Sequence, residues 1–354
     1  MLRASAPRFC RALRPHPRAR ALHHAPAFSG DWTEGAAGEI HAKGTQAGVK
    51  YFLFNFVDLF GVSRSKMVPA EAVEDLAAGG AGFAGFAAWL DMTPAYADVL
   101  VLPDPDSMIV LPWNKEVAWL ACNPMIDGAE VAQAPRNVLR AQNRALAAMG
   151  LHLITGVETE WHVIDATKHA MADPRDTATK PCYDQIALMR QFDYISELID
   201  CVSELGWGPY QCDHEDSCGQ FELNWEPSDA LRTADRHAFF KYMAAAIAEK
   251  HGLRATFMPK PFIEHTGNGC HVHHSLWKGD TPVFEAMDPS DASETDFGLS
   301  EKAYHWVGGL LAHAPANCAI TNPTVNSYKR INAPTTNSGA TWAPNTVSWT
   351  GTVV

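Results

Sequence analysis

The sequence lacks long hydrophobic runs and closely spaced cysteine pairs. Among its 354 residues, no apolar stretch approaches the roughly 18 residues that suggest a membrane-spanning helix. The eight cysteines are scattered without a Cys-x-x-Cys pair, which is typical of reduced thiols in a reducing compartment. These absences predict a globular protein that is neither inserted in a membrane nor built on disulfides.

Basic residues are also scarce. The chain has 28 Lys and Arg against 40 Asp and Glu, a formal net charge of −12. Because proteins that bind nucleic acids usually present a basic face, we expect no nucleic-acid partner, and acidity fits metal and small-molecule chemistry better. The length and the 47% content of hydrophobic residues allow a large core and favour two domains over one.

Residues 1–30 contain no acidic residue but six arginines, and the first acidic residue is Asp31. An Arg-rich segment of this kind resembles an organelle transit peptide. We therefore expect it to be removed or disordered, and we expect the protein to lie in the mitochondrion or a plastid, otherwise in the cytoplasm. A disordered tail without a targeting role is the alternative.

The block that begins near residue 45 shows short strands around one helix. Phe52, Phe54 and Phe56 alternate with other residues, and a turn signal at 58–61 leads into a second run at 62–68, which predicts a hairpin. The other predictions here are a helix at 70–78, a Gly-rich loop at 79–85 and strands at 99–102, 107–111 and 117–122.

The block that begins near residue 135 alternates helices with strands. Proline in the first turn and Gly150 just beyond the end predict a helix at 135–149. Apolar residues at three- and four-residue spacing predict helices at 186–205 and 234–251, and a fourth helix is expected to begin after Ser300 and to run to His313. Thr233 precedes the third helix and is a candidate N-cap. The strands between these helices carry polar residues on one face, and we expect the chemistry there.

The first polar strand covers residues 153–164. Because side chains alternate across a sheet, Glu158, Glu160 and His162 share one face. Two stacked carboxylates repel each other unless a cation lies between them, which favours a divalent metal. A solvated polar face is the alternative explanation.

A second acidic cluster surrounds a predicted turn at 217–219. A hairpin at this turn would bring Glu215 and Glu222 to one place although they are seven residues apart. Acidic residues beside a turn are also common without any metal.

The third segment places histidines after a Gly-rich turn. If 270–276 is a strand, His271, His273 and Ser275 face one way. Glycines let backbone amides approach a ligand closely, and imidazoles can bind metal or phosphate. Zinc is disfavoured because the other candidates are carboxylates, with no cysteine pair.

The fourth segment, 321–330, is polar and ends in Lys329 and Arg330. Adjacent cations in an acidic protein are suited to clamp a carboxylate or phosphate, and arginine can bind either through two hydrogen bonds. A surface loop is the alternative.

In their order and content, these segments resemble the glutamine synthetase family from about residue 45 to the end of the chain. The motifs are GVETEWHV, HEDSCGQFE, TFMPKPF with GNGCHVHHS, and TNPTVNSYKR. The residues of the segments YKRINAP and SGATWAPN are most similar to those of the branch that contains γ-glutamylmethylamide synthetases and type III glutamine synthetases.

The resemblance implies an α+β fold with two domains. A small N-terminal β-grasp domain at 45–130 would precede a catalytic domain at 135–354, built on a curved antiparallel sheet with helices outside. The resemblance also implies a homo-oligomeric ring, dodecamer-like, whose active sites are shared between neighbours.

The resemblance also implies ligands for two metal ions. Glu160, Glu215 and Glu222 would bind one Mg²⁺ or Mn²⁺. Glu158 and His271 would bind the second, nearer the ATP phosphates.

Substrate contacts are implied in the same way. Gly267 and Arg330 would contact L-glutamate, and His273 and Ser275 would contact ATP. Asp98 matches an aspartate that family members lend to the ammonium site of a neighbouring subunit.

The implied reaction is the ATP-dependent ligation of ammonia or a small amine to the γ-carboxylate of L-glutamate. A carboxylate that attacks ATP brings several negative charges together, so two metals and arginines must neutralise them. An amine would then attack the resulting γ-glutamyl phosphate. The alternatives are an impaired family member with an assembly or regulatory role, a γ-glutamylmethylamide synthetase, or a simple metal-binding protein.

Three departures from the family pattern bear on activity. Thr266 replaces an asparagine that precedes the substrate-contacting glycine, and Thr336 lies near the place of a glutamate that covers the ammonia site. The family continues beyond Trp349 into a segment that supplies ATP-binding arginines and a further metal ligand. The expectation is therefore that these 354 residues alone are nearly inactive, because removing one charge-stabilising donor costs on the order of a hundredfold.

Overall fold

The computed structural model of the protein describes residues 35–286, 298–331 and 336–337. The expected leader at 1–30 and the segment SGATWAPN lie outside the described residues. The helices are α1 Ala36–Ala47, α2 Val73–Gly79, α3 Pro135–Ala148, α4 Gln185–Arg190, α5 Phe192–Glu204, α6 Ala230–Lys250, α7 Glu301–Thr321 and α8 Val325–Arg330. The strands are β1 Tyr51–Val57, β2 Ser63–Pro69, β3 Ala81–Phe83, β4 Val99–Pro103, β5 Ile109–Leu111, β6 Asn114–Ile126, β7 Ala129–Glu130, β8 His152–Asp165, β9 Pro209–His214, β10 Gln220–Trp225, β11 Ser228–Asp229, β12 Leu253–Thr256, β13 Cys270–Lys278 and β14 Thr281–Pro282.

The first seven strands form one sheet in the order β2-β1-β6-β4-β3, with β5 and β7 also paired to β6. The predicted hairpin of β1 and β2 is confirmed. Its turn is held by the Asp58 carboxylate, which accepts hydrogen bonds from the Phe60 and Val62 amides at 2.8 and 3.0 Å and from Arg64 Nε at 2.8 Å. Gly61 supplies the positive φ of 77° within this turn.

The prediction of a loop throughout 79–85 is wrong, because 81–83 form β3, which pairs with β4. Gly80 explains the difference. A Cβ atom at this position would lie 2.8 Å from the Cβ atom of Leu100, so glycine permits the backbone to approach β4 closely.

The other seven strands form a second sheet in the order β14-β13-β8-β10-β9, with β11 and β12 also paired to β8. Its strand pairs are all antiparallel. β8 is fourteen residues long and carries four partner strands, so it organises the whole sheet. This architecture of curved sheet and helices confirms the α+β fold class.

The prediction of one helix at 186–205 is wrong. The chain breaks at Gln191 (φ −101°, ψ 17°) into α4 and α5. Ile186, Met189 and Phe192 belong to the predicted apolar stripe, but they are 64%, 53% and 52% exposed. Only the second half of the stripe therefore packs into the core.

The third predicted helix, now α6, begins four residues earlier than expected. Its N-cap is Asp229, whose carboxylate accepts a hydrogen bond from the Leu231 amide at 2.9 Å. Thr233 is buried and instead donates to the carbonyls of Thr155 at 3.0 Å and Ser228 at 3.2 Å. The prediction of Thr233 as the N-cap is therefore wrong, and this side chain instead attaches the helix to Thr155 of β8 and to Ser228 of β11.

The fourth predicted helix, now α7, begins after Ser300 as expected and continues to Thr321. Pro315 lies inside it. Across the described part of the chain, every helix is too short or too polar to traverse a lipid bilayer.

Strand β6 joins the two sheets into one interior. Val117, Trp119 and Ala121 pack with the helices of the second sheet, whereas the alternate residues pack into the core of the first sheet. Trp119 lies edge-on to Phe239 of α6, with ring centroids 5.5 Å apart. The boundaries 45–130 and 135–354 remain predictions.

A buried arginine also links the two sheets. Arg136, in the first turn of α3, donates to Asp104 Oδ2 at 2.7 Å, to both carboxylate oxygens of Asp235 at 3.0 and 2.9 Å, and to Asn123. Asp104 follows β4 and Asp235 lies in α6, so one side chain neutralises carboxylates from both halves.

We expect Arg136→Met to lower the free energy of unfolding by about 3–5 kcal/mol, because it leaves buried carboxylates without a counter-charge. Arg144→Met is the matched control on α3. Its guanidinium pairs with Glu130 at 2.8 Å near the surface, so its loss is expected to cost less than about 1 kcal/mol. Urea denaturation measures both, and equal effects would contradict the structural role of Arg136.

Candidate active site

The site is organised by the register of β8 with its two neighbouring strands. Glu160 lies opposite Glu222 of β10, and Glu158 lies opposite His271 of β13. Directly opposed residues point to the same face of a sheet. The predicted sharing of one face by Glu158, Glu160 and His162 is therefore extended across three strands.

Glu158 is held by both predicted histidines. His271 Nδ1 lies 2.9 Å from its Oε2 atom, and His273 Nε2 lies 2.8 Å from its Oε1 atom. The hydrogen bonds with His271 and then His273 lower the pKa of Glu158 to about 2. The same contacts raise the pKa of both imidazoles, so this corner of the site favours ionised partners.

Glu160 is buried and is fixed by two donors. The Gly269 amide donates to its Oε2 atom at 2.7 Å, and Gln220 Nε2 donates to the same atom at 2.9 Å. Burial nevertheless raises the pKa of Glu160. Its Oε1 atom is 3.8 Å from His271 Nε2, which places the carboxylate beside the histidine corner.

Glu222 is also buried and accepts a hydrogen bond from Asn224 at 3.0 Å. Burial, opposed by this hydrogen bond and supported by the charges of Glu158 and Glu160, raises the pKa of Glu222 to about 8. Such a carboxyl group is largely protonated at neutral pH unless a cation approaches.

Glu215 joins the cluster from the predicted hairpin, whose turn at 217–219 is confirmed between β9 and β10. The Glu215 and Gln220 backbones are linked across it at 2.9 Å. Burial raises the pKa of Glu215, and the positive charge of His271 opposes that shift. The turn and the second strand of the hairpin thus bring the carboxylates of Glu215 and Glu222 near each other.

These side chains fit a hard divalent cation. Ligand atoms of Glu158, Glu222 and His271 all lie within 4.8 Å of one another. Carboxylate oxygens with one imidazole suit Mg²⁺ or Mn²⁺ better than a thiolate-seeking metal. Glu222, which the resemblance assigns to one metal, thus groups with Glu158 and His271, which it assigns to the other, whereas Glu160 and Glu215 do not belong to this group of described residues. The division into two metal sites remains a prediction.

Arg330 lies over the same cluster. Its Nη2 atom is 2.7 Å, and Glu160 Oε1 is 2.8 Å, from the point that a Cβ atom on Gly269 would occupy. Helix α8 is positioned by Asn326, whose side chain forms two hydrogen bonds with the Lys260 backbone at 2.7 and 2.9 Å. The Gly-rich loop and α8 therefore meet at the edge of the carboxylates.

Gly267 is required by its surroundings. A Cβ atom there would lie 2.2 Å from the Pro259 carbonyl oxygen and 3.2 Å from Arg330 Cγ. Thr266, which departs from the family pattern, donates to Asp216 Oδ2 at 2.7 Å and accepts from the Asn337 amide at 2.9 Å. The threonine thus ties the loop to the hairpin.

Two predicted residues lie away from the carboxylates. Asp98 is exposed on the first sheet beside Gly82. Ser275 shares the face of His273 but lies opposite Ile154, further along β13. Thr336 lies beside Asn337, and its role at the ammonia site remains a prediction.

Sequence reasoning did not single out Asp213 and Tyr183. Asp213 lies opposite Glu222, and burial, together with the charges of Glu158 and Glu160, raises its pKa to about 6. Alternation along β9, once the hairpin was placed, would have identified it. The pKa of Tyr183 is raised by the charge of Glu215 and by burial, and its φ of 66° is uncommon for a residue other than glycine. No sequence signal marks it.

Comparison with known proteins gives consistent matches. Residues 132–352 match the family described as glutamine synthetase, catalytic domain. A glutamine synthetase of Rhizobium meliloti (strain 1021) is 57% identical over 306 residues, which are 86% of this chain and 69% of that protein. A glutamate–methylamine ligase of Methyloversatilis universalis is 42% identical over 307 residues, with the same two coverages.

Among solved structures, a GmaS complex with ADP superposes with a TM-score of 0.78 at 53% sequence identity, over 83% of this chain and 67% of that one. A Plasmodium falciparum glutamine synthetase is 20% identical with a TM-score of 0.74, which shows the shared fold. The family match covers more than half of the chain, and both a curated sequence and a solved structure match it at more than 50% identity. The chain therefore belongs to the glutamine synthetase family.

Proposed function

We propose that this protein is an ATP-dependent ligase that joins ammonia or a small amine to the γ-carboxylate of L-glutamate. One observation carries the proposal. Three neighbouring strands bring Glu158, Glu160, Glu222 and His271 together, and Arg330 lies at their edge. Such a site can gather anions that would otherwise repel each other.

The carboxylates and His271 would hold Mg²⁺ or Mn²⁺. When bound, the metal would neutralise phosphate charge during phosphoryl transfer. Glu160 and Glu222 are buried, and their pKa values are raised because burial disfavours the ionised carboxylate. A bound cation would favour the ionised form again, which supports a metal at this place.

Arg330 would bind the substrate carboxylate, and Gly267 would let the backbone approach it. A guanidinium matches a carboxylate with two parallel hydrogen bonds. Because Arg330 lies beside Glu160, a glutamate bound there would direct its far end along the sheet face. In that orientation its γ-carboxylate would lie near the residues assigned to the metals.

The phosphate donor would lie along β13. His273 already contacts Glu158 at 2.8 Å, and Ser275 follows on the same face, which supports their assignment to ATP. Attack by the γ-carboxylate of glutamate on the terminal phosphate of ATP would form γ-glutamyl phosphate and release ADP.

The amine would enter on the side of Glu215 and Asp213. An ammonium ion must lose a proton before its nitrogen can attack the acyl phosphate, and carboxylates can accept that proton. The attack would form the C–N bond of the amide and release inorganic phosphate. Asp98 is exposed beside Gly82 of the first sheet, which supports its assignment to a neighbouring subunit in a homo-oligomeric ring. Import into a mitochondrion or plastid remains part of the proposal.

The glutamate–methylamine ligase and GmaS relatives support methylamine as a second candidate for the amine. We nevertheless expect ammonia to be preferred, because the relatives at 57% identity are glutamine synthetases. Mass spectrometry of products from an equal mixture of ammonia and methylamine tests this. An excess of γ-glutamylmethylamide over glutamine would assign the protein to the methylamine ligases.

We expect Mn²⁺ affinity to rise with pH up to about 8 and then to level off. Below the raised pKa of Glu222, which is about 8, the cation must displace a proton, whereas above it the carboxylate is already ionised. Calorimetry in two buffers of different ionisation enthalpy measures the affinity and the protons released.

Glu222→Gln is expected to weaken Mn²⁺ binding by at least about tenfold and to reduce proton release. Glu226→Gln is the control, since Glu226 follows β10 but belongs to no metal assignment. Unchanged proton release in Glu222→Gln would contradict the assignment.

Gly267→Ala is expected to weaken glutamate binding by at least about tenfold, because a displaced ligand-binding group commonly costs that much. The added methyl group would meet the Pro259 carbonyl at 2.2 Å and push on Arg330. Gly308→Ala is the control, because a Cβ atom there meets nothing within 4 Å. Isothermal calorimetry with L-glutamate and Mn²⁺ distinguishes the two variants. Equal glutamate affinities would contradict a role of the backbone at Gly267 in binding glutamate.

A further inference from the structure

A cavity lies on the other side of β8 from the carboxylates. It has a volume of about 310 Å³ and opens between the β1–β2 hairpin, α3 and α6. Its apolar wall includes Phe56, Trp119, Leu139 and Leu231. Small-molecule pockets commonly begin at roughly this size, about 300 Å³.

Thr159 fixes the position of this cavity relative to the active site. It lies between Glu158 and Glu160 in β8, so its side chain points to the opposite face. There its hydroxyl contacts His237 Nδ1 of α6 at 3.1 Å, and His237 lines the cavity. The cavity is therefore separate from the proposed glutamate site.

Lys241 provides the cavity with a positive charge. It lies one turn after His237 on α6 and also lines the cavity. Its ammonium makes a long contact of 3.5 Å with the Gly61 carbonyl and lies 5.9 Å from the ring of Phe257. Among the residues that the structure describes, no carboxylate forms an ion pair with it.

The acidic group in the wall is already engaged. Both Asp235 oxygens accept hydrogen bonds from Arg136, at 3.0 and 2.9 Å. Burial lowers the pKa of His237 to about 4, so its imidazole is neutral at physiological pH. Among the described residues that line it, the cavity thus has apolar walls, one cation outside any ion pair, Lys241, and no carboxylate that is free for a ligand.

We propose that this cavity binds a small organic carboxylate, whose charged end pairs with Lys241 and whose apolar body lies against Trp119 and Leu231. A small inorganic anion would leave the apolar wall unfilled, and an organic cation would be repelled by the ammonium. The ligand is therefore a compact monocarboxylate with a hydrocarbon body.

The first experiment uses benzoate as the probe, with benzamide and benzylamine as matched neutral and cationic compounds. Calorimetry on the 354-residue chain, without ATP, metal or glutamate, is expected to show benzoate binding at least tenfold more tightly than benzamide. Benzylamine is expected not to bind. Equal affinity for benzoate and benzamide, or no binding of benzoate, would overturn the proposal.

Variants then locate the binding. Lys241→Met is expected to weaken benzoate binding at least tenfold and to abolish the preference over benzamide. Lys250→Met is the control on the same helix, where the lysine pairs with Glu197 near the surface. Arg330→Met is expected to leave benzoate affinity unchanged, which separates this cavity from the proposed glutamate site.

Ala238→Leu provides a second test that keeps the charge, because Ala238 lines the cavity and the larger side chain would fill part of it. It is expected to weaken benzoate binding at least tenfold, and it decides the matter if Lys241→Met does not fold. Unchanged affinity in both folded variants, or a crystal structure with benzoate bound elsewhere or with the protein's own chain in the cavity, would refute the site.

Discussion

The pairing of β8 with β10 on one side and β13 on the other is the constraint on which the site depends. It opposes Glu160 to Glu222 and Glu158 to His271. Because side chains alternate along a strand, a slip of one residue would turn Glu158 and Glu160 into the core. Core residues of β8 resist such a slip, since Trp161 is fully buried and packs against Phe240 at 5.5 Å.

The same sheet face holds carboxyl groups in opposite electrostatic conditions. Two imidazoles lower the pKa of Glu158 to about 2, whereas burial raises the pKa of Glu222 to about 8. Among the described residues, the histidines thus partly neutralise the negative charge around Glu158, whereas the surroundings of Glu222 lack positive charge. Because a ligand that binds only the folded protein stabilises it, a cation that fills this deficit would contribute to folding as well as to chemistry.

Features set by local chemistry could be predicted from the sequence, and features set by distant partners could not. Alternation predicted the shared face of Glu158 and Glu160, and the turn at 217–219 predicted the hairpin that delivers Glu222. Periodicity alone missed the break at Gln191, because an apolar stripe continues across it while its first half stays exposed. Arg136 gave no local signal, since its partners Asp104 and Asp235 lie 32 and 99 residues away.

The two faces of β8 connect the stability of the core to the geometry of the site. Thr159 lies between Glu158 and Glu160 in the chain, and its side chain is buried on the opposite face of β8. There it contacts His237 of α6. Helix α6 is in turn fixed to the first sheet, because its Asp235 shares Arg136 with Asp104. A displacement of α6 would therefore move Thr159 through its hydrogen bond with His237. It would also move Glu158 and Glu160, which are the residues bonded to Thr159 on either side. Since interiors are close-packed and transmit strain, the first sheet acts as a support for the face that carries Glu158 and Glu160, even though its own side chains lie on the opposite side of β8.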